Sequence, residues 1–339
     1  MEWLKNTQSR FDEALSATLE DPGMWRAESL SAGGLKEMLT PCIMGGGHRL
    51  RPLLFLAMLE GLGGVITGEM LKLAVALELM HHFALIHDDI IDRSESRRGV
   101  RTLHEEFRQR YAGGLGNLNG TDFALLAGDF LYMASQKMLA ELDISPGHTV
   151  EMGKLISGTA RLTCLGQYLE MEAISGGGAL DSQAEREIQG LKTAHYTFIC
   201  PMKIGAILTD TGAAIRGKLE GAGRLWGTAF QMRDDLDDFL PGPRQERMRP
   251  TSPCWRLLAE HGSEEARAIL SEALRRGELT EAMEESLVIF FQKAGLHEHC
   301  MGEIRRLEQA GWAEMGDIPL HPEPREALRV LVSRALKTN

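Results

Sequence analysis

The 339 residues are enough for one large core or two domains, and 43% hydrophobic against 25% charged is the ordinary balance of a globular chain. A formal net charge of −11 argues against nucleic acid and against anionic membrane surfaces as partners, since both call for a basic face. The five cysteines (Cys42, Cys164, Cys200, Cys254, Cys300) are scattered without zinc-ligand spacing and read as reduced thiols of a reducing compartment.

Aromatic residues are sparse, while Leu, Ala, Met, Glu and Arg abound, which favours helices. The N-terminal Met1-Glu2-Trp3-Leu4-Lys5 is not a signal peptide, so the cytoplasm is the expected location. Apolar periodicity predicts a first amphipathic helix over 2–20. A loop at Gly45-Gly46-Gly47 precedes an apolar helix from Arg51 to Leu62, and a long helix covers Gly68 to Asp92. Its most apolar stretch, Leu71 to Ile86, is interrupted by Lys72, Glu78, His81 and His82, which speaks against an integral membrane segment. Further helices are predicted over Thr121–Leu142, opened by a Thr121/Asp122 cap, and over 148–174, 183–210 and 214–239. Pro241-Gly242-Pro243 stops the last of these, and Ser252-Pro253 reads as a cap with proline at the first helical position. Gly262 and Ser263 mark a helix end and a new start, and Pro322 and Pro324 open a C-terminal helix ending near Leu336. With no repeat and no long linker, residues 1–339 read as a single all-α domain.

Two clusters of aspartates stand out: Asp88-Asp89-Ile90-Ile91-Asp92 and Asp234-Asp235-Leu236-Asp237-Asp238. Both have the spacing DDxxD and both close a long helix. Residues four apart share a helix face, so Asp88 sits beside Asp92 and Asp234 beside Asp238. Like charges so placed repel, and two identical clusters call for a neutralising partner. Carboxylate oxygens suit Mg²⁺, a hard cation that also takes phosphate oxygens, so the pair points to a metal-bridged diphosphate. Arginines follow the first cluster, from Arg93 to Arg101, and others lie in Gly46-Gly47-His48-Arg49-Leu50-Arg51-Pro52; guanidinium groups bind phosphate oxygens in pairs.

Taken in order, these segments resemble the trans-isoprenyl diphosphate synthases, the family of the farnesyl and geranylgeranyl diphosphate synthases. Gly46 to Pro52 resembles GGKRxRP, and Ile86 to Asp92 with Arg97-Arg98-Gly99 and Thr102 resembles the first aspartate motif and its arginine tail. Leu126-Ala127-Gly128-Asp129, Gly166-Gln167, Lys192-Thr193-Ala194 with Tyr196-Thr197, and Phe230-Gln231-Met232-Arg233-Asp234-Asp235 through Asp238 resemble the remaining elements. The resemblance implies an all-α isoprenoid synthase fold surrounding a central catalytic cavity. It implies a head-to-tail prenyltransferase acting on isopentenyl diphosphate and an allylic diphosphate, dependent on up to three Mg²⁺ ions with Mn²⁺ as an alternative, and homodimeric. Asp88, Asp92, Asp234, Asp235 and Asp238 would serve the metal, with Asp89 ligating directly or through water. Arg97 and Lys192, with Arg233, would hold the allylic diphosphate, and His48, Arg51, His81 and Arg98 the diphosphate of isopentenyl diphosphate. Thr193 and Gln231 would face the developing carbocation.

Two departures bear on activity. The family has lysine at the position of His48, and histidine titrates near neutrality, so binding of isopentenyl diphosphate is expected to weaken as pH rises. The loop after Asp238 is short and lacks the family's first lysine, whose place Arg244 or Arg247 would take; Arg249 precedes Pro250-Thr251-Ser252-Pro253. Product length is expected to be set on the face below Asp88, where Ala84 lies one turn down and Met80 two, with Phe83 beside them. The resemblance implies that a small residue at Ala84 with an aromatic at Phe83 goes with a C20 product, with C15 as the alternative. Two other functions fit less of the pattern: a class I terpene cyclase, and a non-catalytic subunit regulating a partner synthase.

Overall fold

The segment Leu50–Gly61 is apolar on every side, and such a helix must be buried all round. The computed structural model describes residues 2–45, 47–97, 99–112, 118–175, 182–240, 253–276 and 279–338. In it this segment is α3, packed against α4 (Gly68–Ile91), α9 (Cys200–Leu208) and α15 (Pro322–Leu336). Phe55, Leu56 and Leu59 of α3 join one hydrophobic cluster with α1 (Glu2–Glu20), α2 (Gly33–Met44), α4, α5 (Leu103–Arg110), α6 (Gly120–Ala140) and the start of α7 (Pro146–Ser175). Leu53, Leu54, Ala57 and Met58 face a second cluster, formed with α10 (Ala213–Asp237), α11 (Pro253–His261), α12 (Glu264–Arg276), α13 (Glu281–Lys293), α14 (Leu296–Glu314) and α15. Between α7 and α9 the chain runs through α8 (Ser182–Gln189) and a π-helical segment, Gly190–Ile199.

The fold is all-α. Among the described residues the only strands are two short antiparallel hairpins, β1 (Arg26–Ala27) with β2 (Leu30–Ser31) and β3 (Ser96–Arg97) with β4 (Val100–Arg101). The second hairpin follows α4 directly, and its turn uses Gly99 at φ +76°. The helix predicted over 183–210 is one continuous rod in path but changes to π geometry in its middle. Helix α6 starts one residue before its expected cap: the Asn119 side chain accepts from the Thr121 and Asp122 N–H groups, and Asp122 accepts in return from the Asn119 N–H at 2.7 Å. α2 and α5 are additional helices; α5 buries only Leu103, His104 and Phe107, too few to show as periodicity.

By length and composition α4 could cross a bilayer, yet it lies inside the helix assembly, in contact with α1, α3, α5 and α6. All five cysteines are free thiols, Cys42 and Cys164 exposed and the others buried, with Cys254 and Cys300 Sγ atoms 3.9 Å apart.

Candidate active site

A π-helix ten residues long is rare, and such segments gather at functional sites. Here glycines on both flanking helices let the backbones close on it. A Cβ on Gly166 of α7 would lie 2.7 Å from the Lys192 nitrogen, and one on Gly227 of α10 only 2.3 Å from Ala194 Cβ. The π segment is thus gripped on two sides, and its side chains Lys192, Thr193, Tyr196 and Thr197 reach three different groups.

The first group lies at the end of α4. Lys192 Nζ stands 2.8 Å from Glu170 of α7 and 3.6 Å from Asp88. Arg97, carried back by the β3–β4 hairpin, donates from Nε to Asp89 at 2.7 Å and from Nη2 to Asp88 at 3.3 Å. The hairpin is set by Arg93 in a left-handed conformation (φ +55°) and by Ser94 N–H bonding the Asp89 carbonyl at 3.0 Å. Asp92 is the C-cap of α4, one turn beyond Asp88.

The second group is a chain of hydrogen bonds onto α10. Thr193 Oγ1 donates to Gln231 Oε1 at 2.8 Å, and Gln231 Nε2 donates to Asp235 Oδ1 at 3.0 Å. Asp234 and Asp238 share this face by helical spacing, Asp234 exposed and Asp238 half-buried. Arg233 does not share it. Two residues along a helix turn by about 200°, and Arg233 is buried on the far side, paired at 2.5 Å with Asp237. It is therefore not placed to hold the allylic diphosphate, contrary to expectation.

The third group is cationic. Arg51 lies over the Tyr196 ring at 4.2 Å, donates to Thr197 Oγ1 at 2.8 Å and approaches His81 Nε2 at 3.2 Å. His81 Nδ1 is 2.9 Å from the Tyr196 hydroxyl. Burial pushes the Tyr196 phenol well above its ordinary range, so it remains neutral beside these bases. His48 is exposed. Arg98, Gly46, Arg244, Arg247, Arg249 and residues 250–252 lie outside the described residues.

Below the first cluster, Phe83 is fixed between His87 (ring centroids 4.6 Å) and Tyr132 (5.0 Å), Met80 is buried and Ala84 half-buried. His87 in turn occupies the space left by Gly128, whose Cβ would come within 2.5 Å of its ring. Among the described residues no three acidic, imidazole or thiol groups are gathered so as to hold a metal by themselves.

Sequence reasoning left five participants without a part. Glu170 is the partner of Lys192, Arg49 is buried against Glu78, and Tyr196 with Thr197 forms the seat of Arg51. The motif spacing flagged Arg49, Tyr196 and Thr197 without showing their contacts.

The family model described as Polyprenyl synthetase matches residues 33–285. The chain is 32% identical over 194 residues to a geranylgeranyl diphosphate synthase of Methanosarcina mazei, covering 57% of this chain and 55% of that one. It is 34% identical over 206 residues to a geranylfarnesyl diphosphate synthase of Aeropyrum pernix, covering 60% of each. The matched stretch thus spans somewhat over half the length of these relatives. The fold matches that of a geranylgeranyl pyrophosphate synthase of Corynebacterium glutamicum, solved with isoprenyl diphosphate and magnesium, at a TM-score of 0.79 and 24% identity over 100% of this chain and 98% of that one.

Proposed function

The chain belongs to the polyprenyl synthetase family, and from that premise we propose that it is a trans-prenyltransferase joining isopentenyl diphosphate head to tail to an allylic diphosphate (dimethylallyl, geranyl or farnesyl), with geranylgeranyl diphosphate as product. The observation that carries this reading is the π segment. Its adjacent residues Lys192 and Thr193 reach the two aspartate clusters, and its next turn seats Arg51.

The acidic side chains fit the metal by donor type: Asp88, Asp92, Asp234, Asp235 and Asp238 offer only oxygens, the set a hard divalent cation takes. They would hold up to three Mg²⁺ ions, or Mn²⁺, which when bound supply neutralisation of the charge building on the leaving diphosphate. Asp89 fixes the Arg97 fork, and Arg97 with Lys192 would hold the allylic diphosphate. Glu170 restrains Lys192 so that its ammonium is already placed when the substrate arrives. His48, Arg51, His81 and Arg98 would take the diphosphate of isopentenyl diphosphate, with Arg51 oriented by Tyr196 and Thr197.

The allylic C–O bond breaks, the isopentenyl double bond forms the new C–C bond at that carbon, and a proton leaves to the departed diphosphate. Asp235 aligns the Gln231 amide, and Gln231 aligns the Thr193 hydroxyl, whose oxygen lone pairs would face the allylic cation. The growing tail would pass Ala84 and stop against Phe83 and Met80; the support for a C20 limit is the fixing of Phe83 by His87 and Tyr132. The proposal takes residues 1–339 as one cytoplasmic domain, supported by α3 serving both hydrophobic clusters. It takes the assembly as a homodimer, supported by Leu125, Leu126 and Met133 exposed on α6.

The test is incubation of the purified chain with Mg²⁺, labelled isopentenyl diphosphate and each primer, with product length read by chromatography and a chelator control. A C20 product, abolished by chelation, is expected. A C15 stop would overturn the assignment of Ala84 and Phe83. No condensation with any primer would overturn the synthase reading and favour the regulatory subunit.

A further inference from the structure

Residue 49 is in a left-handed conformation, φ +47°, at the N-cap of α3. Glycine adopts that conformation without strain and an arginine does not. The Arg49 side chain makes no capping hydrogen bond there. It instead turns inward, buried, where Nη1 meets Glu78 Oε1 at 2.6 Å and Nε meets Asp12 at 3.4 Å. Glu78 is itself buried, on the turn of α4 that also carries His81, and His82 Nε2 lies 3.6 Å from it. The side chains on either side of Arg49 go elsewhere: His48 is exposed, and Arg51 reaches His81 and Thr197. One turn of α4 therefore grips the 48–51 segment twice, through Glu78 on Arg49 and through His81 on Arg51.

We propose that Arg49 and Glu78 are positioning residues: their buried ion pair holds the strained backbone that presents His48 and Arg51 to the diphosphate of isopentenyl diphosphate. This rests on the prenyltransferase reading. The allylic diphosphate, assigned to Arg97 and Lys192, is served by other elements, so loss of the pair should act on one substrate and spare the other.

A buried ion pair replaced as a whole by apolar residues commonly leaves stability equal or higher, whereas removing one partner strands a charge. The test therefore uses Arg49→Met/Glu78→Leu, with Glu78→Gln as a second variant that keeps the volume and a hydrogen-bond acceptor. Calorimetry measures binding of isopentenyl diphosphate with Mg²⁺ and no primer present, and thermal melts are run beside it. Kinetics then give KM for each substrate. The double variant is expected to melt at or above the parent's temperature, to bind isopentenyl diphosphate about tenfold more weakly, and to keep its KM for the allylic primer. A purely structural pair would move the melting temperature or both substrates together. If both variants bind isopentenyl diphosphate as the parent does, the positioning role is overturned. Where the double variant does not fold, Glu78→Gln decides by the same comparison. A parent that fails to bind isopentenyl diphosphate at all overturns the prenyltransferase reading, and this proposal with it.

Discussion

Helix α10 permits a comparison of two chemically identical substitutions with opposite outcomes. At Gly217 a Cβ meets nothing within 4 Å; at Gly227 it would lie 2.3 Å from Ala194 Cβ and 2.5 Å from its Cα. Replacing a helical glycine by alanine gains about 1 kcal/mol where there is room. Gly217→Ala should therefore stabilise the protein by that amount, a rise of about 1–2 °C in melting temperature. At Gly227 the carbons must separate to about 3.5–4.0 Å, so α10 and the π segment must part by roughly 1.2–1.7 Å. Overpacking of that kind costs about 1–3 kcal/mol, net of any gain in propensity. The parting also acts at the site, because Thr193 beside Ala194 bonds Gln231 four residues beyond Gly227. A misplacement of about 1 Å can cost about 100-fold in turnover. The assays are thermal unfolding and steady-state condensation of the two variants. If Gly227→Ala melts and turns over like Gly217→Ala, the contact between α10 and the π segment is not what holds Thr193 and Gln231 together.

Lys192→Ala removes a charge-assisted contact of about 1.5–3 kcal/mol and should lower kcat/KM for the allylic substrate by about 10- to 100-fold; an unchanged value would remove Lys192 from that site. Phe83→Ala opens the face below Ala84 and should lengthen the product beyond C20 on chromatography, whereas an unchanged product would place the floor elsewhere. Glu78 offers a stability test by pH. Burial alone raises its pKa, but His82 and Arg49 lower it more, leaving it below its ordinary 4.5. A carboxyl depressed in the folded state contributes stability that is full above about pH 4.5 and is lost as pH falls through the folded value. Denaturant unfolding from neutral pH downward should show that acid loss in the parent and less of it in Arg49→Met/Glu78→Leu, and equal slopes would refute it.

Helix ends and acidic clusters were legible because they depend on neighbours in sequence. The span 2–20 is α1, and the C-terminal helix stops at Leu336. Capping was nearly so: Asp122 was read as part of the cap, while Asn119, the side chain that caps, precedes a glycine that masks the start. The π geometry was not legible, because Gly190–Ile199 spaces its apolar residues as an α-helix would. Its form is set by Gly166 and Gly227, distant in sequence, which let α7 and α10 close upon it. The part of Glu170 was not legible for the same reason, its partner Lys192 being 22 residues away. Arg233 is the instructive case, since the resemblance implied a part in the site and the helical angle, available from sequence, opposes it.

The ion pairs at the first cluster bear on how substrate would enter. Asp88 and Asp89 already hold Arg97, and Asp88 and Glu170 hold Lys192. Asp88 is among the carboxylates proposed for the metal, and Arg97 and Lys192 are the cations proposed for the allylic diphosphate. Their exposure is small, with the Asp89 side chain at 9% and Lys192 at 18%, so separating them without replacement would leave desolvated charge. A metal arriving alone would take partners from Arg97, and a diphosphate arriving alone would strand the two aspartates. Arrival together would offer a replacement partner to each side, with Asp88 available to the metal and Arg97 and Lys192 to the phosphate oxygens. The ion pairs that keep like charges from repelling would thus also favour a metal–diphosphate complex over either component by itself.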